Sequence, residues 1–294
     1  MKKIFLFAAT ALALTACNSE NDPVAPAESD IATFTAQIGE VKTRASNTSW
    51  AAGDKIGITT SGNTKEYVNM EYTVADVAKG TFTGNPIYFQ KNGVNVTFTT
   101  YYPFNGAEGT AVGVITGNTK ADNQTATAQP GIDYLWAQAT GSRQSHDINF
   151  TFAHKMSKLT LTFKNGDDTD VSAITAYTLG GLKHEGSFNT ADGVAAATAE
   201  AAEDLTVATS DVAIGTAVPS LILYPQATAA NGVTLAVVLD GETYNCVLPV
   251  KDNELAAGNN YNFTVKINKT SMTVVGSTIT DWTDVNGDDI NAEM

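Results

Sequence analysis

The chain has 294 residues, 43% of them hydrophobic, and a formal net charge of −14 from 31 acidic and 17 basic side chains. That length suits one large or two medium domains with a substantial core. The acidity rules out the basic footprint that nucleic-acid binding requires and is read instead as serving solubility.

The first residues read as an export signal. Lys2 and Lys3 form a positive n-region, and Ile4 to Leu14 is an apolar h-region too short for a membrane span, which takes roughly 20 apolar residues. The segment ends Leu14-Thr15-Ala16-Cys17, in the form of a bacterial lipobox. Residues 1–16 are therefore expected to be a lipoprotein signal peptide, with Cys17 the lipidation site and the new N-terminus. Several acyl chains would hold such a precursor in the outer membrane far better than one. The stretch NSENDPVAPAESD that follows is polar, acidic and Pro-bearing, as a flexible tether is.

Ile31 to Ile38 alternates Ala32, Phe34, Ala36 and Ile38 with Thr33, Thr35 and Gln37, the period of a strand with one buried face. Lys42 and Arg44 come next, followed by the small polar run Ala45 to Ser49, the composition of an exposed, cleavable connection. A second ordered region begins with WAAGDKIGI at Trp50.

From there, short β-rich runs recur with little helical periodicity. Strands are predicted at Tyr67–Val74, Ile87–Gln90, Val94–Tyr102, Lys158–Phe163, Ile174–Leu179 and Ser220–Tyr224. Further strands are predicted at Val233–Leu239, Tyr244–Val250, Tyr261–Ile267 and Ser271–Ile279. Asn92-Gly93, Asn165-Gly166, Asn231-Gly232 and Asp240-Gly241 supply turn chemistry. Gly106–Ala128 reads as a long polar loop, and the Ala-rich Ala191–Asp204 as a short helix or a loop. So many short strands indicate antiparallel sandwiches, two of them, with the break expected between residues 148 and 149 after the polar GSRQSHDIN stretch.

Catalytic chemistry has little to stand on. His146, His154 and His184 sit in no zinc-binding spacing, and neither a nucleophile elbow nor a phosphate-binding glycine loop is present. No catalytic residue, metal site or cofactor is expected, and the chain is read as a non-enzyme. Asp54 reads as a turn residue bonding nearby backbone. Asp284, Asn286 and Asp288 occupy positions 1, 3 and 5 of a calcium loop, but Asp289 stands where the sixth position wants Gly. The tail is accordingly read as acidic and solvated. With Cys17 acylated, Cys246 has no partner and is expected to be a buried, inert thiol.

In combination, the lipobox, the Thr43-Arg44 pair and Trp50-x-x-Gly53-Asp54-x-Ile56-Gly57 resemble the fimbrillin (type V pilin) superfamily. Tyr101-Tyr102-Pro103, Phe152-x-His154-Lys155-x-Ser157-Lys158-Leu159 and Tyr224-Pro225-Gln226 follow in that family's order. Gly258-x-x-Tyr261-x-Phe263 and Ile279-x-Asp281-Trp282 complete the resemblance. It implies an all-β chain of two tandem transthyretin-like antiparallel β-sandwich domains, 45–148 and 149–294. It also implies that an Arg-specific protease cuts between Arg44 and Ala45, removing the tether and first strand (17–44). A neighbouring copy, or a related pilin, would then fill the groove left by the core face of Phe34, Ala36 and Ile38.

The segment 271–282 is the candidate donor strand, with Met272, Val274 and Ile279 as its apolar row. The competing reading is a monomeric surface lipoprotein or fimbrial tip adhesin that binds a host or bacterial surface ligand, a glycan or a host protein. In that reading Tyr101, Tyr102 and Phe104 would offer a stacking platform.

Overall fold

The computed structural model describes residues 30–39, 49–198 and 201–282. Cys17, Arg44, Ala45 and the calcium-loop-like tail lie outside them. The fold is all-β, as expected. Eight strands precede residue 155: β1 (Thr33–Ile38), β2 (Lys55–Ser61), β3 (Met70–Asp76), β4 (Thr81–Gly84), β5 (Val96–Tyr102), β6 (Val114–Asn118), β7 (Leu135–Gly141) and β8 (Asp147–His154). Then come β9 (Ser157–Asn165), β10 (Ile174–Leu182), β11 (Glu185–Asn189), β12 (Ala195–Ala197), β13 (Glu203–Ala208) and β14 (Leu221–Leu223). The chain finishes with β15 (Gln226–Ala227), β16 (Val233–Leu239), β17 (Glu242–Leu248), β18 (Glu254–Leu255), β19 (Asn259–Asn268) and β20 (Ser271–Asp281).

In the first half, seven strands close into a ring in the order β1-β4-β3-β2-β5-β7-β8. Closure removes the free edges an open sheet would leave. The ring's interior is aromatic and aliphatic, with Phe34, Trp50, Ile56, Ile58, Tyr72, Phe98, Phe150 and Phe152 all buried. Gly57 on β2 is a packing requirement, because a Cβ there would lie 2.5 Å from the Tyr101 ring. In the second half two four-stranded sheets, β13-β10-β16-β17 and β14-β9-β19-β20, enclose a separate core that includes Leu159, Phe163, Tyr177, Leu235, Phe263 and Val265. Most pairings are antiparallel, but β1 runs parallel to β8 and β9 runs parallel to β19.

A third core joins the two halves. The small sheet β12-β11-β6 takes β6 from the first half and β11 and β12 from the second. Beneath it Tyr134 stacks on Phe188 with ring centres 4.7 Å apart, and Tyr101, Met156, Ile222, Tyr224 and Trp282 close the cluster.

Several expectations meet a different local structure. The expected break at 148/149 falls inside β8, whose ladder with β1 and β7 runs on to His154. Its polar residues Asp147, Asn149 and Thr151 form an outer face and do not mark a linker. The polar loop Gly106–Ala128 contains β6, and Ala191–Asp204 contains β12 and the start of β13. Ile87–Gln90 is not a strand: Tyr88 makes one isolated bridge to Ile31, while Ile87 and Phe89 point into the core.

Phe188 is fully buried where both halves meet. Phe188→Ala should therefore cost about 3–5 kcal/mol. Denaturant unfolding should show the loss as a lower midpoint for the whole chain.

Candidate functional site

The site that geometry singles out is the place occupied by β1. Its alternation of buried Ala32, Phe34 and Ala36 with outward Thr33, Thr35 and Gln37 is what a strand inserted into a closed sheet needs. On one side it pairs antiparallel with β4, through Phe34↔Phe82 and Thr35↔Thr81. On the other it pairs parallel with β8, from Thr33↔Asp147 to Ile38↔Phe152. Outside this ladder, Thr33 donates to Asp147, Thr35 to Asn149 and Gln37 to Thr151.

Phe34 is the anchor. Its ring meets Tyr72 and Phe98 edge-on at 4.8 and 5.5 Å and stacks on Phe150 at 5.9 Å. Gly80 passes directly beside the Ala36 carbonyl. A Cβ on Gly80, which has φ +61°, would lie 2.2 Å from that oxygen. The Ala36 N–H donates to Gly80 O at 2.8 Å, and its carbonyl accepts from Trp50 Nε1 at 2.8 Å. Trp50 itself is wedged among Phe82, Tyr102 and Phe152. Ile38, the last expected core-face residue, is half-buried. Ahead of β1, Asp30 pairs with Arg143 Nε at 2.7 Å.

The described chain ends after β1 at Gly39 and resumes at Ser49, and in sequence Arg44 and Ala45 fall between these two points. A cleft of about 370 Å³ lies beside that return, lined by Ile38, Ser49, Trp50, Asp54 and Asp133 among others. Asp54 accepts from Ala51 N at 2.7 Å and from Tyr102 Oη at 3.1 Å, the turn role expected of it. Burial, with Asp54 beside it, holds the Tyr102 hydroxyl above the usual tyrosine range. Tyr101 and Tyr102 are both buried, so they form no exposed stacking platform. Among the described residues no group of three or more His, Cys, Asp or Glu could hold a metal ion.

The candidate donor strand lies in its own sheet. β20 pairs with β19 from Asn268↔Ser271 to Asn259↔Asp281, with a register shift near Val275. Its other edge pairs with no described strand. Met272 is buried and Val274 partly buried against the sandwich core, whereas Ile279 is 37% exposed. At the end of β20, Trp282 stacks on His154 with ring centres 4.1 Å apart and planes 1° from parallel. His154 Nδ1 lies 2.8 Å from Asp133 Oδ1, and Lys158 Nζ is 5.8 Å from the Trp282 ring centre. Motif residues far apart in sequence thus meet where β20 reaches the first half. Trp50 and Arg143 were not predicted as parts of the site, because each acts on a backbone or carboxylate partner distant in the chain.

An all-β ring joined through a shared core to a two-sheet sandwich is the architecture found. The fimbrillin-like family model matches residues 43–282, and the chain belongs to that family. It is 28% identical over 291 residues to a Bacteroides uniformis protein provisionally named fimbrium subunit Fim1C, covering 92% of this chain and 90% of that one. A crystal structure of a provisionally assigned cell adhesion protein from Bacteroides ovatus superposes with TM-score 0.74 at 31% identity, covering 87% of this chain and 99% of that one. A second such structure, from Bacteroides uniformis, gives TM-score 0.70 at 24% identity, covers 86% and 99%, and supports the fold.

Cys246 lies half-buried on β17, and burial pushes its thiol up to about 11. In a Cys17→Ser chain, alkylation of folded protein at pH 8 should run roughly two orders of magnitude slower than after unfolding in urea. It should accelerate as pH rises toward 11, which timed mass spectrometry would follow.

Proposed function

We propose that this chain is a pilin subunit of cell-surface fimbriae, exported as a precursor acylated at Cys17 and held by its acyl chains in the outer membrane. An Arg-specific protease cuts between Arg44 and Ala45, β1 departs with residues 17–44, and a neighbouring copy or related pilin supplies the replacement strand. The observation that carries this reading is the position of β1. It completes the ring, yet its covalent link to the rest of the fold runs through residues 40–48, where Arg44 stands. One cut turns β1 from part of the chain into a bound peptide. Its departure would expose an aromatic groove and two strand edges, the vacancy that donor-strand complementation fills. β20 is the donor in this reading, because it is the terminal strand of its sheet and one of its edges pairs with no described strand.

The energetics require replacement by a whole strand. Burying Phe34 contributes about 1.5–3 kcal/mol, and each ladder hydrogen bond about 0.5–1.5 kcal/mol. Ordering a new strand costs about 1–2 kcal/mol per residue. A replacement must therefore make many contacts in register to hold. Release of β20 also exposes Met272, so the exchange is favourable only where the neighbour's groove returns comparable burial.

Arg44→Ala should leave a lipid-bearing, uncut monomer, whereas N-terminal sequencing of wild-type surface filaments should begin at Ala45. Filaments of normal yield from the variant, or a surface N-terminus at Cys17, would overturn the maturation scheme.

Phe34→Ala separates the precursor from the mature subunit. Precursor stability should fall by about 3–5 kcal/mol, while the dissociation temperature of filaments that do form should not change, since residue 34 has left them. Filaments weakened to the same extent as the precursor would mean that β1 stays in place.

A further inference from the structure

The chain contains two arginines, Arg44 and Arg143. A protease selective for Arg therefore has one peptide bond to attack besides the one after Arg44. Arg143 stands in the polar turn Ser142-Arg143-Gln144-Ser145 between β7 and β8, where Gln144 and Ser145 are exposed. A loop tip of small and polar residues is where nicking concentrates. The folded subunit withholds this one. Arg143 Nε pairs with Asp30 Oδ1 at 2.7 Å, Nη1 donates to Asn92 Oδ1 at 2.8 Å and Nη2 to the Phe89 carbonyl at 3.0 Å. A guanidinium held at all three nitrogens is not free to enter a protease's specificity pocket. The turn is closed as well, since Ser142 and Ser145 exchange both backbone hydrogen bonds, at 3.1 and 2.9 Å.

Much of this restraint comes from residues ahead of Arg44. Asp30 supplies the carboxylate, and its own carbonyl accepts from Phe89 N at 2.7 Å, which holds the residue whose carbonyl Arg143 meets. Thr33 N donates to the His146 carbonyl at 2.9 Å, just past the turn. β8 depends on β1 too. It pairs with β1 from Asp147 to Phe152, but with β7 only at Leu135↔His154 and Trp136↔Ala153. Between those two pairs and the bridge at the turn, no ladder pair joins β7 to β8 among the described residues. Once Asp30 and β1 are gone, the hairpin tip has lost its ion pair and β8 its main ladder. Opening then breaks far fewer bonds, and cleavage of a transiently opened segment follows the open population.

We propose that the Arg143–Gln144 bond is a second, conditional site for an Arg-specific protease, closed while the β1 slot is filled and open while it is empty. Hydrolysis adds water across that amide, leaves a carboxylate on Arg143 and an amine on Gln144, and severs β7 from β8. A subunit that has lost β1 without gaining a replacement is thereby removed as an acceptor. This rests on the reading that β1 departs after the cut at Arg44, and it adds the fate of a subunit left vacant.

The test treats the detergent-solubilised precursor, made in a host without Arg-specific proteases, with a purified Arg-specific endopeptidase and follows it by intact mass spectrometry. In the Arg44→Ala precursor Arg143 is the sole arginine, and the chain should stay whole. In wild type, fragments ending at Arg143 should appear as fragment 17–44 is released, about a hundredfold faster than in Arg44→Ala, the ratio a few lost ladder bonds support. An excess of synthetic peptide 30–39 should suppress them. Asp30→Asn added to Arg44→Ala removes the charge partner, keeps the strand, and should raise cutting at Arg143 about tenfold. Release of 17–44 with Arg143 left intact overturns the conditional site while the departure of β1 stands. Equal cutting at Arg143 in the Arg44→Ala and wild-type chains overturns the dependence on the slot. Retention of 17–44 with Arg143 intact overturns the departure of β1, and this inference falls with it. An unchanged rate in the Asp30→Asn chain overturns the part given to Asp30.

Discussion

A sheet that closes on itself satisfies its edges internally, and closure here depends on a strand of six residues, Thr33–Ile38, lying between partners that run in opposite directions. The rest of the first half is arranged around that insertion. β4 supplies the antiparallel edge for two residue pairs, and beyond it the Ala36 N–H bonds the Gly80 carbonyl while the Trp50 indole bonds the Ala36 carbonyl. β8 supplies the parallel edge along the whole strand, with a polar ladder outside and Phe150 and Phe152 inside. The aromatic rings that surround Phe34 come from β3, β5 and β8, so the side chain of one small strand is a shared contact of much of the ring.

The second half is joined to the first by more than a linker. β6 lies in a sheet with β11 and β12, and the cluster beneath it draws Tyr101 and Tyr134 from one side and Phe188, Ile222 and Tyr224 from the other. Trp282 adds a further tie at the end of β20, stacked on His154 where β8 ends. Gln226 works within the second half, where its amide bonds both the N–H and the carbonyl of Lys183. Family-pattern residues such as Tyr224, His154 and Trp282 are in this view mainly fastenings of one half to the other.

Much of this was legible where burial imposes a strict alternation. β16 was predicted at the residues where it occurs, Val233–Leu239, and β5, β10 and β19 within a few residues of their ends. Legibility failed where a strand's outer face is polar or its side chains small. β8 presents Asp147 and Asn149 to solvent after a polar run and so resembled a linker, although Ile148, Phe150 and Phe152 are buried beneath. β12 is three alanines, whose composition carries no β signal; its pairing with Gly186 and Phe188 places it in the sheet. The site showed the same division. Phe34, Ala36 and Ile38 were visible as a face, but Trp50 acts on a carbonyl fourteen residues back, and no local pattern announces such a bond.

The shared core of Tyr134, Phe188 and Tyr224 bears on mechanics as well as on folding. In a row of subunits linked through β1 slots and terminal strands, tension would enter each subunit at its ring and leave through β19 and β20. Between those points the pull must cross the cluster that joins the halves. The paired strands at either end would be loaded along their length, with many hydrogen bonds sharing the force at once. The aromatic cluster would be loaded across its contact faces, where stacked rings part without such sharing. Under stretch the junction would yield before the strands slip, making each subunit an extensible link whose connections to its neighbours outlast its own compactness.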